Sequence, residues 1–345
     1  MSAMSNFPLS ALRAGPLGPR LVRRRVPAAR SLAFDRTGRR YPDRMAFALV
    51  GTSNGITALD ADGHAHFELD SGDVSRLARS TRGCWAIVGG GRLLRRGDDE
   101  VWHEVAEVDG ELTAVLPFAD GALAGVRDGQ LLRISTDAAE AVSGFDEVQG
   151  RENWHAVPSG DPYVRSLAAT ADAGAVLANV HVGGIPRSTD GGATWLPTID
   201  PEVDVHEVRG HPSDEALVVA AAGAGFFWST DGGVTWTEHN DGLHTTYARA
   251  VAFTSEGVLV SVSDGPFARE GAVYRWVLGT DEPLERCVDG LPDELAGNID
   301  TGALDASGED AVLVDQGGAV YVSGNTGLSW SHLADVEDAH TVVLA

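Results

Sequence analysis

One eight-residue pattern occurs three times in the second half of the chain: Ser188-Thr-Asp-Gly-Gly-Ala-Thr-Trp195, Ser229-Thr-Asp-Gly-Gly-Val-Thr-Trp236 and Ser323-Gly-Asn-Thr-Gly-Leu-Ser-Trp330. Self-similarity of this kind marks a repeat architecture, a propeller or a solenoid, in which stacked copies of one supersecondary unit share a core. The residue types suit a tight turn between strands. Asp190 and Asp231 can accept backbone N–H bonds inside the turn, and glycines such as Gly192 and Gly233 supply φ > 0 without steric cost. Trp195, Trp236 and Trp330 then restart a strand and offer a large aromatic to a neighbouring layer.

The stretches around the repeats read as short strands bounded by Gly, Asp and Pro. Innermost strands are predicted to begin near Val74, Leu112, Val164, Val205, Ala248, Ile299 and His340, at spacings of 38, 52, 41, 43, 51 and 41 residues. Second strands are apolar runs such as Phe47-Ala-Leu-Val-Gly51, Glu215-Ala-Leu-Val-Val219 and Asp310-Ala-Val-Leu-Val314. The first run has no inner strand before it, and the chain ends on a lone strand, His340-Thr-Val-Val-Leu-Ala345. If that strand completes the first sheet, no open edge remains between first and last units. The expected fold is therefore an all-β, seven-bladed β-propeller spanning residues 45–345, with the C-terminal strand closing the first blade. Gly144–Pro162 and Asp264–Gly271 read as long segments between blades.

The three repeats resemble the Asp-box (BNR) pattern Ser-x-Asp-x-Gly-x-Thr-Trp of sialidases, sortilin-type propellers and assembly-factor propellers related to photosystem II stability factors. Two copies match throughout; the third carries Asn325 for Asp and Ser329 for Thr. The resemblance implies that each box lies between the third and fourth strands of a blade, on the face opposite the ligand site, and that Asp190, Asp231 and Asn325 serve folding. Sialidases combine three arginines, an early Arg-Ile-Pro and a Tyr activated by Glu. Here Gly184-Ile-Pro-Arg187 has the wrong order and runs into a box, so that chemistry is not matched. A glycoside hydrolase acting at the channel mouth remains the alternative reading.

The formal charge is −24, and all 26 basic residues are arginine. Such an acid-rich, lysine-free surface reads as halophile-like, a GC-rich genome being the plainer explanation. Residues 1–44 run against the trend, with ten Arg against Asp35 and Asp43, so the remainder carries −32. That break marks a basic N-terminal segment expected to be disordered; Met45 is an alternative start. It lacks the apolar run of a secretory signal or membrane span, so a cytoplasmic monomer is expected. The acidic body disfavours nucleic acid and membrane surfaces. Cys84 and Cys287 are too few for a disulfide framework and are expected as buried thiols.

Superposing the predicted inner strands puts Thr113, Arg165, His206, Arg249, Asp300 and His340 at one early position, with Ser75 or Arg76 completing the ring. Strand alternation aims them all at the channel or all away from it. His181, Asp264, Arg269 and Asp315 are expected to overhang the same rim, and Tyr163 and Tyr247 precede the two arginine strands. Arg165 and Arg249 would attract a carboxylate or phosphate through their planar forks, or else pair with Asp300, Glu207 or Asp264 and neutralise the channel. His181, His206, His340 and Asp300 have metal-ligand chemistry but no short ligand spacing, so no metal or other cofactor is expected. The reading is a non-catalytic binding propeller that presents these residues to a small anionic or carbohydrate ligand, or to a protein partner.

Overall fold

The computed structural model describes residues 47–136, 138–157 and 160–345, and the basic N-terminal segment lies outside them. The strands form seven separate antiparallel sheets, each running from an inner to an outer strand. Blade 1 combines residues 48–70 with the C-terminal strand Ala339–Leu344; blades 2 to 7 occupy residues 74–107, 112–141, 164–197, 205–238, 247–286 and 304–335. The protein is a seven-bladed β-propeller. No helix among the described residues is long and apolar enough to cross a membrane.

Ring closure follows the register. Leu49, Val50 and Gly51 pair with Val343, Val342 and Thr341, so the chain's last strand is the inner strand of its first blade. Each sheet buries both faces, and the apolar clusters accordingly lie between blades rather than within them. One contains Leu49, Ile56 and Val343 of blade 1 with Val74, Leu77 and Trp102 of blade 2. Another joins Ala48, Val342 and Leu344 of blade 1 to Leu304, Leu313 and Val320 of blade 7. Cys84 and Cys287 are free, buried thiols, and burial pushes each up to about 11.

Three sequence expectations need correction. Blade 7's inner strand is Leu304–Ser307, not a strand from Ile299, because Asp300–Ala303 forms a turn with Gly302 at φ +80°. Asp264–Gly271 does not separate blades: it joins the second and third strands of blade 6, and its last residues pair with the extra strand Leu295–Ala296. The second strand of blade 5 begins at Val218 instead of Glu215, since Asp214 accepts the Ala216 N–H and holds those residues in a turn.

The repeated turns connect third to fourth strands at the lower face, away from the ends where the inner strands begin. In each, a serine hydroxyl bonds the acidic or amide side chain and accepts a glycine N–H: Ser188 with Asp190 and Gly192, Ser229 with Asp231 and Gly233, Ser323 with Asn325 and Gly327. Thr194 and Thr235 donate their hydroxyls to the aspartates at 2.6 Å. The third copy reverses this bond, Asn325 Nδ2 donating to Ser329 Oγ at 2.8 Å, so the double replacement preserves the turn. Asp190 is held down to about 2, chiefly by the Thr194 hydroxyl and N–H and by Ser188. At Asp231 burial opposes the shift, but Thr235 and Ser229 still hold it at about 2.

Each turn is also fastened to the blade before it. Arg133, Arg187 and Arg275, on the third strands of blades 3, 4 and 6, donate to the carbonyls of Gly191, Gly232 and Thr326 at 2.7, 2.8 and 3.1 Å. The second turn glycine then has no room for a side chain. A Cβ on Gly233 would lie 2.4 Å from Leu177 of blade 4, and one on Gly327 2.5 Å from Leu259 of blade 6.

Deleting residues 340–345 removes the buried Val342, Val343 and Leu344, each worth ~1.5–3 kcal/mol of burial, and opens the ring. Thermal unfolding followed by circular dichroism should show a midpoint lowered by many degrees and a less cooperative transition; an unchanged transition would contradict the closure. Gly233→Ala, at φ +84° and against Leu177, should cost about 1–3 kcal/mol in denaturant unfolding, whereas Val234→Ala on the exposed tip of the same turn should be nearly neutral.

Candidate functional site

The upper mouth, where the inner strands begin, is shaped by one recurring irregularity. Six inner strands carry a β-bulge in their first turn: at Ser75, Thr113, Arg165, His206, Arg249–Ala250 and His340. A bulge adds a residue to one strand and re-aims its side chain. Five of the six residues aligned in sequence therefore share a structural position. Asp300 does not; it sits in the turn before its strand.

The Ser75 hydroxyl is buried without a partner among the described residues, and the other bulged side chains do two different things. Thr113 Oγ1 donates to the carbonyl of Val164 at 2.6 Å, His206 Nδ1 lies 2.5 Å from that of Ala248, and His340 Nε2 2.9 Å from that of Val74. In each case the partner belongs to the next blade, and His340 makes this contact across the closure. Arg165 and Arg249 instead reach the channel axis. Arg165 Nη2 bonds Asp300 Oδ1 at 3.0 Å, and Arg249 Nη2 bonds the other oxygen of the same carboxylate. Burial would raise Asp300, but the two guanidiniums outweigh it and hold the carboxyl well below the usual range.

The turn that carries Asp300 also obstructs the channel. Thr301 Oγ1 accepts from Arg165 Nε at 3.2 Å and donates to the His206 carbonyl at 3.1 Å, while the carbonyl of Gly302 accepts from Thr341 at 3.0 Å. Further down, Glu207 is fully enclosed; burial pushes its carboxyl up, opposed by Arg209, whose Nη2 lies 2.9 Å away.

Beside this centre, Asp204 lies between two histidines, with His181 Nε2 and His206 Nε2 each 3.3 Å from one of its oxygens. Burial would raise Asp204, but the two imidazoles beside it overcome this and hold the carboxylate well down; burial in turn lowers His206, whose Nδ1 is committed to the Ala248 carbonyl. Tyr163 packs edge-on against His181 and Tyr247 against His206, and Tyr247 Oη accepts from Arg249 at 3.1 Å. Asp315 is buried and lines the mouth beside Gln316, where it accepts the Gly317, Ala319 and Ala296 N–H groups and so braces the turn it sits in. Asp264 is exposed, 3.9 Å from His244. The four groups with metal-ligand chemistry are thus divided among separate partners: His181 and His206 on Asp204, His340 on Val74, Asp300 on the arginines.

Arg76, which follows the bulge at Ser75, takes a different role. It pairs with no carboxylate at salt-bridge distance among the described residues; Nη1 donates to the Ser75 carbonyl at 2.8 Å, and Nε is buried without a partner. Burial pulls this guanidinium below its ordinary value, with Asp300 opposing. Its side chain lines a cavity of about 230 Å³ with the polar residues Asn298, Asp300, Thr301, Asp315, Gln316 and His340. The alignment of early strand positions left Ser75 and Arg76 open; the extra bulge residue is the reason alternation could not choose.

No family model matches the chain, and no curated protein matches it in sequence. Solved structures match in fold. The computationally designed Ika8 protein aligns over 95% of this chain and 93% of its own, with TM-score 0.53 and 16% identity. YCF48 bound to D1 peptide aligns over 76% and 83%, with TM-score 0.50 and 16% identity. The GH74 enzyme of Niastella koreensis aligns over 82% of this chain but 46% of its own, with TM-score 0.54 and 17% identity, so this chain spans less than half of that enzyme.

Asp300 ties its mouth to acid stability. A carboxyl held lower in the folded state than its unfolded value near 3.9 contributes stability that is complete above about pH 4 and lost as pH falls toward the folded value. The wild-type midpoint should therefore fall steeply between about pH 4 and pH 2. Asp300→Asn, already less stable at pH 7 because Arg165 and Arg249 lose their counter-charge, should fall less steeply; parallel curves would show that the pair does not store this stability.

Proposed function

We propose that this chain is a non-catalytic binding propeller whose upper mouth seats an anionic group, carried by a small ligand or by a segment of a protein partner, against Arg76. The observation that carries the reading is the unequal use of the three arginines. Asp300 pairs with both Arg165 and Arg249, one carboxylate between two guanidiniums, whereas Arg76 faces the 230 Å³ cavity with no ion-pair partner among the described residues. A guanidinium in that setting is a ready two-pronged donor for a carboxylate or phosphate. Asn298 and Gln316 amides line the same space, and Tyr247 and His181 border the neighbouring rim. The rest of the sequence-derived set acts by position: Arg165, Arg249 and Asp300 fix the floor, and His206 and His340 tie adjacent blades.

In this reading the three turns are Asp-boxes, and they lie on the face away from the site. A peptide carboxylate is a suitable ligand; the fold-related YCF48, solved with D1 peptide, is an example of a propeller with a peptide ligand. Turnover of glycosides is the weaker reading. It would need a carboxylic acid that keeps its proton near neutral pH and a second carboxylate ~5–10 Å away. Asp300 and Asp204 are both held low, and Glu207, the carboxyl pushed up, is enclosed by Arg209 and the Val251 N–H.

Isothermal titration with citrate, inorganic phosphate and a peptide in free-acid and amidated forms tests the proposal. At least one anion should bind the wild type, and Arg76→Ala should weaken it by about tenfold or more, near 1.4 kcal/mol, with Arg76→Lys intermediate. Because Arg76 has no ion-pair partner to strand, Arg76→Ala should leave the thermal midpoint nearly unchanged, which separates lost binding from lost folding. Equal affinity of wild type and Arg76→Ala would overturn the assignment.

A further inference from the structure

The channel's other end opens into a cavity of about 450 Å³, at the finishing ends of the inner strands of blades 2, 5, 6 and 7. It lies on the opposite face from Arg76, and its chemistry is of another kind. Two ion pairs border it, Arg79 with Asp305 at 3.4 Å and Arg209 with Glu207 at 2.9 Å, so its charged groups cancel. All three nitrogens of Arg79 are engaged, since the other two donate to Ser307 Oγ and the Ala306 carbonyl. Arg209 spends Nε and Nη2 on Glu207, and its Nη1 meets no partner among the described residues.

The remaining polar groups alternate in sense. His211 Nδ1 accepts the N–H groups of Ser213 and Asp214 at 3.2 and 3.0 Å, which places the ring proton on Nε2 and makes that atom a donor. The Ser213 and Ser255 hydroxyls are exposed and can donate or accept. Asp305 Oδ2 takes the Leu344 N–H and Arg79, while Oδ1 has no partner among the described residues and remains an acceptor. Phe253, whose ring packs T-shaped with that of His211 at a centroid distance of 4.8 Å, and Pro212 supply an apolar wall.

A neutral lining with paired donors and acceptors beside an apolar wall selects against ions. A phosphate would meet Asp305 without an unneutralised cation, and a basic side chain would meet Arg79 and Arg209. An uncharged polyol satisfies the set, because each hydroxyl both gives and accepts a hydrogen bond while the C–H face of the ring covers apolar surface. The volume falls within the ~300–1,000 Å³ usual for small-molecule sites. We infer that the lower mouth is a second binding site, for a neutral saccharide of one or two sugar units, separate from the anion seat above.

Saturation-transfer NMR on the full chain with glucose, maltose, cellobiose and myo-inositol at millimolar concentration tests this, with inorganic phosphate as competitor. At least one sugar should receive saturation from the wild type, and phosphate should not displace it. Ser255→Trp and, separately, Ser213→Tyr fill the cavity from exposed turns and should reduce the signal about tenfold while the circular dichroism spectrum is retained. Arg76→Ala should leave the signal unchanged, so this site and the upper one can fail independently. No transfer to any of the four probes, transfer unaffected by both filling variants, or displacement by phosphate would each overturn the inference.

Discussion

The structure depends on burial that no blade can complete alone. A four-stranded sheet of these sequences is apolar on both faces, and each face is covered only by the next blade around the ring. The first blade lacks its own inner strand until the last residues of the chain supply it. Pairing Val342 and Val343 with Val50 and Leu49 therefore does more than add one strand. It brings Leu344 and Ala48 into the cluster shared with blade 7 and removes the two edges a solenoid would leave exposed. Closure fixes the circumference, and the circumference determines what can sit on the axis.

Within that frame, one local device serves both cohesion and function. The bulge at the start of six of the seven inner strands turns a side chain out of the alternating pattern. Where that residue is threonine or histidine, as at Thr113, His206 and His340, it bonds a carbonyl at the start of the next blade's inner strand. Where it is arginine, it is long enough to bypass the backbone and meet its counterparts at the centre. At the lower face the arginines of third strands play the matching part, each gripping the turn of the following blade. The ring is thus held at both ends of its sheets by side chains donating to backbone carbonyls one blade away.

Much of this was readable in the sequence, and the exceptions have identifiable causes. The eight-residue repeats specify their own hydrogen bonds locally, so the turn can be read from residue types, while the reversed Asn325–Ser329 bond, read as a departure from the pattern, emerges only in the structure. The lone strand from His340 likewise announced closure, because a missing inner strand at the start matched a surplus one at the end. Asp300 was misplaced because Asp300-Thr-Gly-Ala303 lies where spacing alone expects a strand, although Gly302 is a turn signal. Arg76 was left undecided because a bulge inserts one residue, and period-two reasoning fails by one at that point. Asp204 had no signal beyond preceding Val205; its place between His181 and His206 depends on a loop from another blade. Arg133, Arg187 and Arg275 occupy late positions in third strands, a regularity visible only once the strands are superposed.

Why an acidic protein lines its axis with arginine follows from the width of the channel. Inner strands standing around a circle leave a core that aliphatic side chains cannot span, and water enclosed there would need polar partners. Arginine reaches further: Arg79 crosses from blade 2 to the backbone and carboxylate of blade 7. Its fork also makes several directed bonds at once, which a lysine ammonium would not fix in one geometry. The result is an alternation along the axis, Asp300 with Arg165 and Arg249, then Glu207 with Arg209, then Asp305 with Arg79. Buried ion pairs seldom contribute net stability over well-packed apolar groups, so their value here is positional: they define which atoms are satisfied and which remain available. Two places remain available on that ladder, the guanidinium of Arg76, without an ion-pair partner among the described residues, at one mouth and the neutral, half-satisfied lining at the other, and their chemistry differs because the lower pairs balance one to one while the single Asp300 carboxylate faces two guanidiniums above.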